Sequence, residues 1–432
     1  MSRILLHGVT GQPGTAFAKW LDTGPHFPDA YRPLVGATPR IVTRLSGAGV
    51  QPDDHGGAAA AEATAVRLRR QGASLEWGEP DQTVDLRRLL RLCRARGRSS
   101  VELLRRDATL CGELQIGSWF DAPLRARIVR RVALHAPGVL LSLARSPRGF
   151  RTAADSAFWK GVRSAATRAE WKRLTGASFT ALVYHRIAGE AKPGQEKLDT
   201  PARLFEAQLR LLRTLRFRPL AASELLRVLR GEADPPRRSF VLTFDDAMLD
   251  CLDALHRHTR EAPILFVPTH ELGAKAHWLG DEPTMAWDDV RALAAAGVAI
   301  GAHARRHRPL VGLPEEELAD ELEGSLADLR ERIPEAWALL AYPNGAHDLS
   351  VRAAAMRAGF EAAFTTEKGK NGPATDRFCL RRISVYGYDG PLAVAWKAAT
   401  GEPVPRLFER WRLARLRRTG SAPSTDPGPS AG

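Results

Sequence analysis

The sequence predicts an α/β fold, a distorted (β/α) barrel preceded by a smaller, mostly helical region. Three observations carry this expectation. From Phe179 onward, short apolar runs alternate with amphipathic helical patterns. Ionisable residues gather just after those runs, most sharply in Ser239-Phe240-Val241-Leu242-Thr243-Phe244-Asp245-Asp246, where an apolar segment ends in two adjacent carboxylates. Before residue 150, strand–helix alternation is weak. Strands buried on both faces of a parallel sheet read as continuous apolar runs, and such folds place their chemistry at strand carboxyl ends.

The elements follow in order. The interval Phe158 to Arg173 reads as a connecting helix with Trp159 and Trp171 as packing anchors. Phe179 to Tyr184 is a strand, Pro201 to Leu215 an amphipathic helix, and Ala222 to Arg230 a second helix ahead of the strand at Phe240. Ile264 to Val267 is a strand, Trp287 to Ala295 a helix, and Val298 to Gly301 the strand that leads to His303. Pro314 to Ile333 is a charged helix with Leu318, Leu322, Leu326 and Leu329 on one face, followed by a strand over Leu339 to Tyr342. Arg406 to Arg418 reads as a basic amphipathic helix, suited either to capping the barrel or to lying on an anionic membrane surface. The Pro/Gly/Ser-rich segment 421–432 reads as disordered. The expected division is therefore 1–150, a helical linker over 151–178, the barrel over 179–400, and a basic tail over 401–432.

Length and composition bound the function. At 432 residues the chain has room for two or three domains, and 44% hydrophobic content suffices for a core. The net charge of +14 comes mostly from arginines spread along the chain, whereas a nucleic-acid footprint clusters on one face, so nucleic acid is disfavoured as a partner. Cys93, Cys111, Cys251 and Cys379 form no close pair, which fits a reducing compartment. The N-terminus has too short an apolar run for a signal peptide, and Val132 to Ala144 is interrupted by His135 and Pro137. The expected location is cytoplasmic, with a peripheral contact at the inner membrane face through 406–418.

Asp245 and Asp246 gain meaning from Gly301-Ala302-His303-Ala304-Arg305-Arg306-His307, whose histidines at i and i+4 project to one side of a helix or tight loop. One carboxylate and two imidazoles make a three-ligand site for a divalent metal, leaving the other carboxylate as a base. The bland alternatives are a turn or helix cap for the aspartates and a solvated basic loop for the histidines. Arg305, Arg306 and Arg308 could instead meet an anionic substrate. Trp278 and Trp287 could stack on sugar rings, although aromatic residues in such positions more often belong to the core.

Thr243-Phe244-Asp245-Asp246, His303-x-x-x-His307, Ala341-Tyr342-Pro343-Asn344-Gly345 and Leu380-Arg381-Arg382-Ile383, in that order, resemble the motifs of the polysaccharide deacetylases with the NodB homology domain. The resemblance covers about Phe179 to Thr400 and is supported by Trp287-Asp288-Asp289-Val290 and Phe364-Thr365-Thr366-Glu367 as similar flanks. It implies a NodB-type barrel and metal-assisted hydrolysis of an N-acetyl group on a sugar, with an N-acetylated glycan or glycan precursor as substrate. By that analogy Asp246, His303 and His307 hold the metal and Asp245 is the catalytic base. Arg382 orients Asp245 and holds it ionised, and backbone N–H near Asn344 stabilises the oxyanion. Zinc suits the ligand set, and other first-row divalent ions also fit.

This chain departs from the family pattern. Ala247 replaces the usual Gly, tolerable only if that residue does not need a positive φ. Ala304 replaces the usual Ser or Thr, so a supporting hydrogen bond is expected to be absent, and Ala341 replaces an Arg. No histidine follows His347, so the general acid usual near the domain's end is missing. Leu182-Val183-Tyr184-His185-Arg186-Ile187 resembles the arrangement of some exopolysaccharide deacetylases, which makes His185 the candidate acid. The replacements keep an alternative open, a non-catalytic sugar-binding or scaffold protein built on a NodB-like barrel.

The N-terminal region says less. Leu5-Leu6-His7-Gly8-Val9-Thr10-Gly11-Gln12-Pro13-Gly14 has glycines spaced as in a dinucleotide-binding turn, but no following strand–helix–strand unit with an acidic residue. Segments 65–73 and 95–106 resemble the C-terminal part of a family 2 glycosyltransferase, which implies a remnant or docking module without the nucleotide-sugar half.

Overall fold

The computed structural model describes residues 6–7, 39–41, 75–77, 84–106, 115–120, 124–135, 147–189 and 197–405. The basic helix expected over 406–418, the tail 421–432, the glycine-spaced turn over 8–14 and the segment 65–73 lie outside these. The chain divides into two compact units, Met1–Gly176 with Ala374–Asp376, and Ala177–Pro373 with Arg377–Gly432.

The described part of the first unit is mainly helical: α1 Leu86–Arg106, α2 Leu124–His135, α3 Pro147–Ala165 and α4 Arg168–Gly176. Helices α1 and α3 touch backbone to backbone. A Cβ at Gly97 would lie 2.1 Å from the Phe158 carbonyl oxygen, and one at Gly161 would lie 2.0 Å from that of Arg94. Trp119, Trp159 and Trp171 pack edge to face beside Phe158, Val101 and Leu174. The single helix expected over 158–173 is two, because Thr167 and Glu170 form a capping box. Thr167 N–H donates to Glu170 Oε2 at 2.7 Å, and Glu170 N–H donates to Thr167 Oγ1 at 3.2 Å.

The second unit is an all-parallel barrel of eight strands: β1 Phe179–Tyr184, β2 Arg218–Pro219, β3 Ser239–Phe244, β4 Ile264–Val267, β5 Ala299–Ala302, β6 Leu339–Ala341, β7 Ala362–Phe364 and β8 Arg382–Ser384. The order around the sheet is β7-β6-β5-β4-β3-β1-β8. Strand β2 pairs with the first half of β3, and β4 with its carboxyl half. The ring closes through one parallel bridge, Phe364 to Leu380, with Thr365 N–H donating to Leu380 O at 2.8 Å and Leu380 N–H to Ala363 O at 2.9 Å. Helices α5 Ala202–Thr214, α6 Ala222–Leu229, α7 Leu252–Arg257, α8 Trp287–Ala295, α9 Glu315–Arg332, α10 Leu349–Arg357 and α11 Pro391–Thr400 join the strands.

Strand period divides the core in two. Phe179, Ala181, Val241, Ile264, Phe266, Leu339, Ala341, Ala362 and Phe364 fill one cluster, the barrel interior. Leu182, Tyr184, Leu242, Phe244, Leu265, Val267, Ile300 and Leu340 meet the helices. Gly301 is required by space: a Cβ there would lie 2.8 Å from both Leu339 O and the Phe266 ring. Asp245, His303 and Arg382 continue the interior parity at the strand ends or starts, which points them to the mouth of the barrel. Among the described residues, no helix is long and apolar enough to cross a membrane.

Candidate active site

Asp245 leaves β3 with its N–H bonded to Tyr184 O at 3.1 Å, beside the end of β1. The backbone then turns left-handed, with φ of 70° at Asp246 and 50° at Ala247. The condition on which Ala247 was expected to be tolerable is thus not met. An L-residue in this region costs about 1–2 kcal/mol, and here the buried Ala247 methyl packs in the main core while its carbonyl accepts Met285 N–H at 2.8 Å.

The histidine motif is a loop. His303 N–H bonds Val267 O at 2.8 Å, after which Ala304 (φ 59°) and His307 (φ 49°) are left-handed. With Asn344 (φ 57°), five of the nine positive-φ non-glycine residues among the described residues lie in the motif loops, as expected where surrounding contacts impose geometry for function. His303 Nδ1 lies 2.7 Å from Ala341 O. A carbonyl only accepts, so Nδ1 carries the proton and the Nε2 lone pair is free to ligate.

Asp246, His303 and His307 are all buried, and one ligand atom from each lies within 4.8 Å of the others. Asp246 Oδ1 is 3.0 Å from His307 Nε2 and 3.5 Å from His303 Nε2. Tetrahedral ligands with bonds near 2.0–2.1 Å stand about 3.3 Å apart, so this spacing fits a divalent metal. A second observation agrees: Asp246 Oδ1 is buried and, despite these short separations, has no hydrogen-bond partner of acceptable geometry among the described residues. Such atoms face a shared point more than they face each other. Burial pushes the Asp246 carboxyl up, but the two imidazoles beside it outweigh this and hold it well below the usual carboxylate range. Burial lowers both histidines. The Asp245 and Asp246 charges reverse this at His303, which ends above its ordinary value, and His307 stays below its own.

Arg382 is 1% exposed, with its guanidinium beside the Phe266 and Phe364 rings, which touch each other edge to face, at 5.8 Å from each centroid. Its Nη1 donates to Asp245 Oδ1 at 2.7 Å and its Nε to Thr365 O at 3.0 Å. Burial raises Asp245, yet the Arg382 charge and then His303 bring it below the ordinary carboxylate value. The remaining oxygen, Oδ2, lies 4.0 Å from His303 Nε2. His185 follows β1, whose Tyr184 is in register with Phe244, so it stands beside Asp245. It is half-buried, and its charge adds to the pull on both aspartates. Asn344 is exposed on the turn after β6, with its carbonyl accepting from Thr366 Oγ1 at 3.3 Å. The structure therefore brings Asp245, Asp246, His303, His307 and Arg382 together, sets His185 alongside, and gives Asn344 no hydrogen bond to the cluster among the described residues.

One expectation is corrected. Arg305, Arg306 and Arg308 do not wait for an anionic substrate: Arg305 pairs with Asp320 and Asp328, Arg306 with Asp320 and Glu321, and Arg308 with Glu317 and Glu321. Trp287 packs against the core under Arg332. Trp278, weighed as a sugar platform, stacks on His307 at 4.3 Å and 20° and so fixes the plane of a ligand ring. Nothing in the sequence marks that contact. Glu321 was also missed, although its place in the register of Leu318 and Leu322 put a carboxylate on the buried stripe of α9.

Residues 232–363 match the polysaccharide deacetylase family. A protein of Bacillus subtilis (strain 168), YxkH, provisionally named a polysaccharide deacetylase, is 24% identical over 213 residues, covering 48% of this chain and 72% of its own. Among solved structures, the Streptococcus pyogenes deacetylase PplD in complex with acetate has 20% identity and a TM-score of 0.46, covering 52% of this chain and 99% of its own. IcaB from Ammonifex degensii has 24% identity and a TM-score of 0.46, covering 52% and 98%. The family match and the curated relative support a polysaccharide deacetylase domain. The family match lies within the barrel and leaves the glycosyltransferase-like resemblance of 65–73 and 95–106 unsupported.

Proposed function

We propose that this protein is a metal-dependent hydrolase that removes N-acetyl groups from an amino sugar in a glycan or glycan precursor. The observation that carries the proposal is the buried Asp246–His303–His307 cluster with the Arg382–Asp245 pair directly beside it. A divalent cation held by those three residues, with zinc as the first candidate, supplies Lewis-acid polarisation of the acetyl carbonyl and of the attacking water. The chain's own residues do the rest. Arg382 engages Asp245 Oδ1 and keeps the carboxylate ionised, which leaves Oδ2 to take the proton from water. As the C–N bond breaks, the amine needs a proton, and half-buried His185 at the neighbouring strand end is the residue proposed to deliver it. Backbone N–H groups of the turn around Asn344, held in its left-handed conformation, are proposed to receive the oxyanion. Acetate and a free amino sugar are the products.

The test is metal content by mass spectrometry on protein purified without chelator, for wild type, His303→Ala and His307→Ala, followed by acetate release from N-acetylated sugars. About one metal per chain, lost in both variants and accompanied by acetate release in wild type, is the expected result. A wild type that refuses added zinc and cobalt would favour the alternative, a sugar-binding or scaffold protein, to which the alanine at strained position 247 already lends some weight.

A further inference from the structure

We infer that Glu321, on α9, is a positioning residue that fastens the loop carrying both candidate metal-ligating histidines, an inference that rests on the metal site proposed above. Glu321 has no exposed surface and is the charged residue on a buried stripe of the helix that otherwise holds Leu318, Leu322, Ser325, Leu326 and Leu329. Its carboxylate is filled by four donors. Oε2 accepts the backbone N–H of Arg305 at 2.9 Å and of Arg306 at 3.0 Å. Oε1 accepts Arg306 Nη1 at 2.9 Å and Arg308 Nε at 2.8 Å. Two of the three residues between His303 and His307 thus hang by their amides from a single buried carboxylate.

The loop needs an external restraint. Ala304 and His307 are both left-handed, a conformation that persists only where surrounding contacts over-determine it. Position 304 has no hydroxyl to tie the loop to itself. His307 Nδ1 is buried without a hydrogen-bond partner among the described residues, so no carboxylate or carbonyl orients that ring from behind. The fastening passes through the backbone instead, and Arg305 extends it. That guanidinium donates to Asp328 through Nε at 2.9 Å and Nη2 at 2.8 Å while lying over Gly324, where a Cβ would come 2.5 Å from Arg305 Cζ. A carboxylate that accepts charge-assisted and amide bonds at once is worth more than a neutral acceptor in the same place.

The inference predicts lost metal affinity in a folded protein. The full chain is stripped with chelator and titrated with cobalt in competition with a chromophoric chelator, for wild type, Glu321→Ala, Glu321→Gln, Gly324→Ala and the neighbouring buried control Ser325→Ala. Removing a group that orients metal ligands costs roughly 10–100-fold in affinity. Glu321→Ala is expected in that range. Glu321→Gln, whose carbonyl still accepts the two amides, falls less, and Ser325→Ala stays at the wild-type value. The visible spectrum of bound cobalt changes in the Glu321 variants and not in the control. Wild-type affinity and spectrum in both Glu321 variants would overturn the inference. Should Glu321→Ala fail to fold, Glu321→Gln and Gly324→Ala carry the same readout. A wild type that binds no cobalt overturns the metal site itself. Hydrogen exchange then still judges the fastening, since unchanged protection of the Arg305 and Arg306 amides in Glu321→Gln and Glu321→Ala would refute it.

Discussion

Replacing Arg382 by Met should reverse the pH dependence of stability contributed by Asp245. Two opposing effects act on that carboxyl: burial, the larger single influence, favours the neutral acid, and the combined charges of Arg382 and His303 favour the anion and win. In wild type the depressed pKa means that Asp245 stabilises the fold above its unfolded value of about 3.9 and loses that contribution as pH falls. Without the guanidinium, burial dominates and the pKa rises above that of the unfolded chain, so the variant is penalised increasingly as pH rises through the new value. Methionine keeps much of the packing against Phe266 and Phe364. The cost is then mainly the uncompensated charge, about 3–5 kcal/mol for breaking a buried pair. The variant limits that loss by taking up a proton, at about 1.4 kcal/mol per pH unit. Urea unfolding of metal-free wild type and Arg382→Met from pH 4 to pH 8 should show a gap that widens with pH. A gap of constant size would mean that Arg382 acts through packing alone, and would refute its role in holding the base ionised.

Other consequences are equally direct. Lys397 and Asp389 form a buried ion pair, with the Lys397 ammonium also donating to Ser384 O at 2.9 Å and lying over the Tyr386 ring. Lys397→Met should therefore cost about 3–5 kcal/mol, and adding Asp389→Asn should recover a large part of it in urea denaturation. Arg105 donates to Glu170 at 2.7 and 2.8 Å and, chiefly through that bond, brings its carboxyl down to about 2. Because both groups are substantially exposed, solvent screens the pair and its stabilisation is small. It should be present above pH 4.5 and fade as pH falls toward 2, with Glu170→Gln flattening that slope in an acid titration followed by Trp fluorescence. Trp278→Leu removes the ring stacked on His307 and should weaken metal binding about tenfold, read by chelator competition.

Much of the barrel was legible because its strands are buried on both faces. A strand with no solvent side carries an unbroken apolar run, and Ile264–Val267 begins and ends where its apolar residues do. The strands β2, β7 and β8 span two or three residues and leave no period to detect, whereas the equally short β6 is legible because Tyr342 extends Leu339–Ala341 into an apolar run of four. Helix α10 is hard to read for a different reason: it buries Val351, Ala353, Ala354 and Ala355, so small residues pack where a larger apolar stripe would have been visible. Helix α11 does carry signals, Pro391 in its first turn and Gly401 just past its end.

The candidate site divides along the same line. Asp245, Asp246, His303 and His307 could be found because ionisable residues at the end of an apolar run are conspicuous in sequence. Of what holds them, Arg382 at Asp245 was reached only through the family resemblance, and the other supports are long-range contacts without a mark in sequence: the Ala341 carbonyl fixes His303, Trp278 lies on His307, and Glu321 takes the amides between the two histidines. The arginines beside those histidines illustrate the difficulty. In sequence they are a basic cluster facing an imagined anion. In the fold they neutralise Glu317, Asp320, Glu321 and Asp328 on α9, and their backbone is what matters to the site. Local charge therefore misleads about partners wherever a helix of opposite charge packs against the loop. It follows that substitutions at Arg306 or Arg308 should alter the stability of the histidine loop well before they alter recognition of a charged substrate.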